Sequence, residues 1–257
     1  MPQVSVVTSV RNGEAYLEEC VDSVLNQTFQ DFEYIILNNG STDGTAKILQ
    51  QCTDPRLRII HQENLGISRS LNKGIDISSS DLIARLDADD YLMPQMLEKQ
   101  VTFMDKHPDV VLCGSRWLEL IGEKLYKQIV DFVETDQAIK KSMSLFNPFC
   151  HSAVIFRKKA FLTAGGYSER FKYTQDYDLW VRMLAFGKTL ILKEELAVVR
   201  IHKQSGSYKN ARKQKLEALQ IRWDAFRQFG GNPGQALYYF FKTLMGLISP
   251  STGNLNR

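Results

Sequence analysis

An α/β fold is what this 257-residue sequence predicts: a mostly parallel, Rossmann-like sheet flanked by helices, with a C-terminal helical extension. Three observations carry that reading. From Val4 to Met104, short β-branched runs alternate with helical patterns, as in βαβ units. A carboxylate cluster, Asp87-Ala88-Asp89-Asp90, directly follows the apolar run Asp81–Leu86, and ligands of open α/β sheets sit outside the carboxyl ends of the strands. From Ser207 onward the pattern is helical only.

Strands are expected at Val4–Val10, Glu33–Leu37, Leu57–His61 and Asp81–Leu86. Between them, Ala15, Leu17, Cys20, Val21, Val24 and Leu25 mark the apolar face of a first helix, and Ala46, Ile48 and Leu49 part of a second. A third helix runs from about Ile67 to Ile77, and a fourth from Pro94 to about Met104. After the strand Asp109–Cys113 the rhythm changes. Residues 114–200 mix a hairpin, a polar helix near Thr135–Leu145, a strand at Ala153–Phe156 and a helix at about Asp176–Ala185.

Composition leaves an ordinary soluble enzyme open: 44% hydrophobic and 24% charged residues are enough to bury a full core. Charge is unevenly spread. From Arg200 to the end, ten Lys/Arg face Glu217 and Asp224, a net of +8, which leaves 22 basic and 27 acidic residues, a net of −5, before it. Cys20, Cys52, Cys113 and Cys150 form no Cys-x-x-Cys pair, so neither a zinc site nor a disulfide framework is expected. No signal peptide and no membrane-spanning stretch is expected, which points to a cytoplasmic protein. The basic tail lacks interleaved nucleic-acid motifs, and no nucleic-acid partner is expected.

The strand ends carry the chemistry. They are Ser9–Asn12, Asn38-Asn39-Gly40-Ser41, Asn64-Leu65-Gly66 and Asp87–Asp90, all polar. No Gly-x-Gly-x-x-Gly and no Gly-Lys-Ser/Thr loop occurs, so a bound phosphate needs a metal rather than a cradle of amides. Three carboxylates within four residues repel one another unless a cation lies between them, and hard oxygen ligands suit Mg²⁺ or Mn²⁺. Capping of the helix near Pro94 is the other reading of Asp89 or Asp90.

An ordered set of segments resembles glycosyltransferase family 2, inverting enzymes of the GT-A fold. It comprises Val4–Val7, Asn12-Gly13-Glu14, Ser23–Phe29, Asn39–Asp43, Asn64-Leu65-Gly66, Leu71–Gly74, Ala84–Asp90 and Gln175–Trp180, across roughly residues 3 to 205. The resemblance implies a GT-A domain over 1–205, with a nucleotide-sugar-binding half (1–105) and an acceptor-binding half (106–205). Residues 206–257 form a basic helical extension. It further implies a nucleotide-diphosphate sugar donor, UDP-sugar favoured, a Mn²⁺ or Mg²⁺ held by an Asp-x-Asp motif, and transfer to a saccharide or lipid-linked acceptor in polysaccharide synthesis of the bacterial cell envelope. A non-catalytic nucleotide-sugar or polysaccharide-binding module on the same fold is the alternative.

Carried over residue by residue, the resemblance makes Asp89 the metal ligand and Asp87 a group that reaches the metal or the donor. Asp176 becomes the general base, and His202 an auxiliary metal group with Arg200 and Lys203 adding charge near the phosphates. Ser9, Arg11, Asn39, Gly66 and Arg69 join Asp87 in holding the donor. Three departures stand out: Arg11 replaces an aromatic residue, Asn39 replaces an acid that would accept the uracil N–H, and Gln175 replaces a Glu beside the base. Blander readings exist for each. Asn38-Asn39-Gly40 suits a turn, Ser41 an N-cap, Asp176 and Asp178 a helix first turn, Gly165-Gly166-Tyr167 a helix stop, and His151 and His202 are equally readable as structural or solvated.

In the tail, Lys209, Arg212, Lys213, Lys215, Arg222 and Arg227 share a helix with Leu216, Leu219, Trp223 and Phe226, ahead of the aromatic run Leu237–Ile248. Such a pair suits peripheral contact with the inner face of an anionic membrane, a homodimer interface, or a cap on the sheet.

Overall fold

In the computed structural model, residues 1–127, 135–202, 205 and 209–248 are described. The strands are β1 (Val4–Val10), β2 (Phe32–Asn39), β3 (Leu57–Gln62), β4 (Leu82–Arg85), β5 (Tyr91–Leu92), β6 (Val110–Ile121), β7 (Lys124–Lys127), β8 (Val154–Arg157) and β9 (Lys188–Ile201). The helices are α1 (Leu17–Leu25), α2 (Thr45–Gln51), α3 (Ile67–Asp76), α4 (Met96–Lys106), α5 (Asp136–Ser142), α6 (Lys158–Thr163), α7 (Gln175–Met183), α8 (Ala211–Phe229) and α9 (Pro233–Ile248).

One sheet runs β3-β2-β1-β4-β8-β6-β9-β5, with β7 paired to β6. Through β3, β2, β1 and β4 it is parallel, as the alternating pattern requires. Antiparallel β8 then joins β4 to β6, and β6 pairs with β9 in parallel. Both faces are covered. Val4, Val6 and Val10 of β1 pack with α1 and α4, while Val7 packs with α3 and the α5–α8 layer. At Gly74 of α3 the helix lies close on the sheet: a Cβ there would meet Leu37 Cδ1 at 2.6 Å and Val7 Cγ1 at 2.8 Å, so a larger residue requires those side chains to shift.

The expected strands and helices of the first half recur within a residue or two of their bounds. Beyond Cys113 the structure adds more. The hairpin is β6–β7, turned at Gly122, and α5 is capped by Thr135, whose Oγ1 accepts the Ala138 N–H. Strand β9 has no counterpart in the sequence reading. Its Lys193-Glu194-Glu195 break the apolar period, and its register with β6 shifts around Ser115 and Arg116. Two-residue β5 and six-residue α6 are too short to show a period.

Helix α8 is a cap on the body. Its Ala218, Ile221 and Ala225 enter the core beside Trp180, and Gln214 and Gln228 donate to the carbonyls of Tyr173 and Val181. Leu216 and Trp223 of α8 and Leu237, Tyr238, Phe240, Phe241 and Met245 of α9 remain exposed. Among the described residues, no helix is long and apolar enough to cross a membrane.

Candidate active site

The carboxyl ends of β1–β4 open onto a cleft of about 940 Å³. The first half of the chain lines one wall with Ser9, Arg11, Tyr16, Gly66, Arg69, Asp87 and Asp89, and the second half supplies His151, Glu169, Lys172, Tyr173, Gln175, Asp176 and His202, of which His151 and His202 touch Asp87 and Asp89. The 11–16 and 40–45 loops that shape the first wall are laced together. The Thr42 N–H donates to Asn12 Oδ1 at 2.8 Å, the Gly13 N–H to Thr45 Oγ1 at 2.9 Å, and the Gly44 N–H to Glu14 Oε2 at 2.6 Å.

The three clustered acids are held differently. Asp87 sits in a ring, with the fully buried Arg85 guanidinium donating to Oδ1 and with His151 Nδ1 at 3.4 Å and Ser152 Oγ at 3.5 Å from Oδ2. Burial pushes its pKa upward, but the charges of Arg85 and then His151 override this and hold the carboxyl well below the ordinary range. Asp89 keeps a partly open carboxylate, its Oδ2 2.9 Å from His202 Nε2. Burial and then the Asp87 charge raise its pKa. Asp90 is buried, accepting from Ser152 Oγ and from the Arg200 N–H at 2.9 Å. Burial, then Asp89 and Asp87, push it well up, so it serves as an internal structural acid.

A divalent cation fits Asp89 and His202 by chemistry: a partly open carboxylate and an imidazole whose Nε2 faces it at 2.9 Å, while Nδ1 is buried with no hydrogen-bond partner among the described residues. Among the described residues no group of three or more His, Cys, Asp or Glu forms a ready-made metal cage. Mg²⁺-type sites do not need one, since substrate phosphates and water complete the shell.

Across the cleft, Asp176 stands in the first turn of α7. Its Oδ2 accepts from Asn147 Nδ2 at 3.0 Å, and Asn147 Oδ1 in turn accepts the Phe149 N–H at 3.1 Å, which fixes the direction of the amide. Burial is the main cause of a raised pKa at Asp176, opposed by the His151 charge. His151 is both structural and cleft-lining. Its Nε2 bonds Tyr167 Oη at 2.8 Å, and the Gly165-Gly166 turn and Asn72 pin the Tyr167 backbone. Asp178 belongs to Arg182, at 2.6 Å, and faces no ligand.

Other expected residues fare unequally. Ser9 lines the cleft and donates to Ser70 Oγ at 2.8 Å; Arg11 lies exposed on its rim. Gly66 adopts φ 78°, which favours glycine, at the start of α3. Arg69 reaches across the cleft to Glu169 at 2.7 Å. Asn39 is buried, its Oδ1 accepting from Gln62 Nε2 at 3.1 Å and the Leu65 N–H at 2.9 Å, and its Nδ2 donating to the Gly66 carbonyl at 3.2 Å. These bonds tie it to the 62–66 loop that shapes the donor wall. Arg200 lines the cleft as well: its guanidinium pairs with Glu19, stacks 4.4 Å from the Tyr16 ring centroid and donates through Nε to the Asp89 carbonyl at 3.1 Å. Lys203 lies outside the described residues. Tyr16, Asn147 and Ser152 went unread in the sequence, whereas Tyr167 stands in the Gly165-Gly166-Tyr167 segment read as a helix stop or the floor of the acceptor site. A polar residue beside Pro148 or His151 was the sole hint.

The family model for glycosyl transferase family 2 matches residues 5–163. The chain belongs to glycosyltransferase family 2. It is 29% identical over 255 residues to the amylovoran biosynthesis glycosyltransferase AmsE of Erwinia amylovora, covering 95% of this chain and 94% of that protein. An uncharacterized glycosyltransferase of Methanocaldococcus jannaschii is 33% identical over 252 residues, covering 94% and 84%. Among solved structures, S. aureus TarS 1-349 in complex with UDP-GlcNAc superposes with a TM-score of 0.71 at 15% identity, covering 94% of this chain and 71% of that one. The mannosyltransferase PcManGT from Pyrobaculum calidifontis, in complex with GDP-Man and Mn2+, gives 0.70 at 16% identity, covering 96% and 72%. The fold is GT-A and the protein is a glycosyltransferase; the non-catalytic alternative falls.

Proposed function

We propose that the protein is a metal-dependent, inverting glycosyltransferase that moves a sugar from a nucleotide-diphosphate donor to a hydroxyl of a saccharide or lipid-linked acceptor, in cell-surface polysaccharide synthesis. One observation carries the reading: Asp89, paired with His202, and Asp176, held by Asn147, line one and the same cleft. Asp89 and His202 would hold Mn²⁺ or Mg²⁺, with Asp87 facing the donor from its ring of Arg85, His151 and Ser152. Bound there, the ion would neutralise charge on the departing diphosphate. Asp176 takes the acceptor proton while the acceptor oxygen bonds to the anomeric carbon; the bond from that carbon to the diphosphate breaks, and the electron pair leaves with the nucleotide. A single displacement with one base inverts the centre.

Ser9, Arg11, Gly66 and Arg69 form the donor wall. A UDP-sugar is favoured, because TarS carries UDP-GlcNAc on the same fold; PcManGT, which carries GDP-Man, makes guanine the competitor. AmsE is named for polysaccharide biosynthesis, which supports that destination for the product. The division of labour is donor binding by 1–105, acceptor binding by 106–205, and contact with the inner face of the membrane by 206–257, where basic α8 and aromatic α9 are exposed. A panel of UDP-, dTDP- and GDP-sugars tests the reading with Mn²⁺ and with chelator. Turnover of one donor that chelator abolishes is expected. Full turnover in chelator contradicts it.

A further inference from the structure

Resting on the reading that Asp87 faces the donor, we infer that Tyr167 is a positioning residue for donor binding: through His151 it fixes the cleft-facing carboxylate of Asp87. Tyr167 is 2% exposed and does not itself line the cleft. Its hydroxyl lies 2.8 Å from His151 Nε2, and His151 Nδ1 lies 3.4 Å from Asp87 Oδ2.

The inventory of protons gives this chain a direction. Asp87, held ionised by Arg85, can only accept, so the imidazole nitrogen that faces it carries a proton. The neutral ring then offers Nε2 as an acceptor. Burial pushes the Tyr167 phenol up against the opposing charge of Arg85, so it keeps its proton and donates. On the carboxylate, Arg85 occupies Oδ1, and Ser152 Oγ, 3.5 Å from Oδ2, is drawn to Asp90. The imidazole is what stands behind Oδ2.

The tyrosine is braced for this task. Asn72 of α3 clasps its backbone, Nδ2 donating to the carbonyl at 2.9 Å and Oδ1 accepting the N–H at 2.8 Å. Arg182 of α7 donates to the Gly166 carbonyl at 2.8 Å. Gly166 has φ 68°, and a Cβ there would meet Asn72 Oδ1 at 2.9 Å. A stop for α6 accounts for the glycines. It does not account for the phenol. The Tyr167 ring meets Phe161 edge-on at 5.6 Å and His151 at 5.7 Å, a space that Phe fills equally well. What Phe lacks is the hydroxyl on Nε2, and without it the imidazole is free to turn Nδ1 away from Asp87.

The test pairs a ligand-free readout with binding, on the full chain with labelled aspartate carboxyl carbons. In the free protein, the Asp87 Cγ resonance, identified by its loss in Asp87→Asn, should move in Tyr167→Phe, while that of Asp54, in its ion pair with Arg56, stays. UDP and GDP, each with Mn²⁺, are the binding probes. Whichever binds the wild type should bind Tyr167→Phe about three- to tenfold more weakly, the range of one hydrogen bond. Tyr177→Phe, which removes another buried hydroxyl from the Met143 carbonyl, controls for lost stability and should change neither readout. An Asp87 resonance that ignores Tyr167→Phe, or binding that Tyr167→Phe weakens no more than Tyr177→Phe does, overturns the inference. If the wild type binds neither nucleotide, the proposed function falls instead, and the carboxyl resonance still decides whether Tyr167 acts on Asp87.

Discussion

On the β1–β4 wall of the cleft, chemistry and its supports are close in sequence: Arg85 holds Asp87 from two residues away, and the 11–16 loop is laced to the 40–45 loop one βα step later. What the second half of the chain brings to the cleft is assembled from afar. Asn147 reaches Asp176 across 29 residues, Ser152 reaches Asp90 across 62, and His202 reaches Asp89 across 113. The first wall is thus specified by local pattern, the second by the packing of β8, β9 and α7 against it. A defect on the second wall should cost activity first and stability second.

The largest separation of the two walls comes from Asp176→Asn, which should lower transfer about 10² to 10⁴-fold, the range of one general base, while donor KM stays within about twofold. A parallel rise in donor KM would merge the walls into one unit. Next in size is Arg85→Met. It strands the Asp87 charge in its ring and should cost about 3 to 5 kcal/mol in denaturant unfolding, whereas the distant support Ser152→Ala should cost about 1 to 3. Equal costs would remove the contrast between near and far supports.

Asn147→Ala should reduce kcat/KM about tenfold and also shift its pH profile. Asp176 works as a carboxylate, and burial raises its pKa, so activity is present above that pKa and fades as pH falls through it. Asn147 donates to the charged form, and removing it raises the pKa further. The acid limb must therefore move to higher pH; a limb that stays put or moves down would exclude Asn147 as a support of the base. Smallest is the exposed surface of α8 and α9. Trp223→Ser/Leu237→Ser should leave melting unchanged within error and weaken flotation with anionic liposomes severalfold. Unchanged flotation together with loss of dimer on sedimentation would reassign this face to a second copy.

Much of the first wall was legible in the sequence because a strand buried on both faces ends in a polar loop, and Asp87–Asp90 stood out against Asp81–Leu86. The family resemblance added the roles. At Asn39 the sequence shows a polar residue at a strand end but not its partners: side chains alternate faces along β2, and its own bonds the 62–66 loop. At Arg200 the sequence shows the charge of a guanidinium and not Glu19 and Tyr16 beside it. Strand β9 escaped because Lys193-Glu194-Glu195 mask its period, and with it went the reason that His202 arrives beside Asp89. Asn147 carried no period at all; only the folded chain brings it to Asp176.

Calorimetric binding of UDP with Mn²⁺ to the wild type, Asp89→Asn and Asp176→Asn tests the separate assignment of metal anchor to Asp89 and base to Asp176 most directly. Mn²⁺-dependent binding is predicted for the wild type and for Asp176→Asn, with at least a tenfold loss in Asp89→Asn. Binding that ignores chelator, or that Asp176→Asn and Asp89→Asn weaken alike, would contradict it.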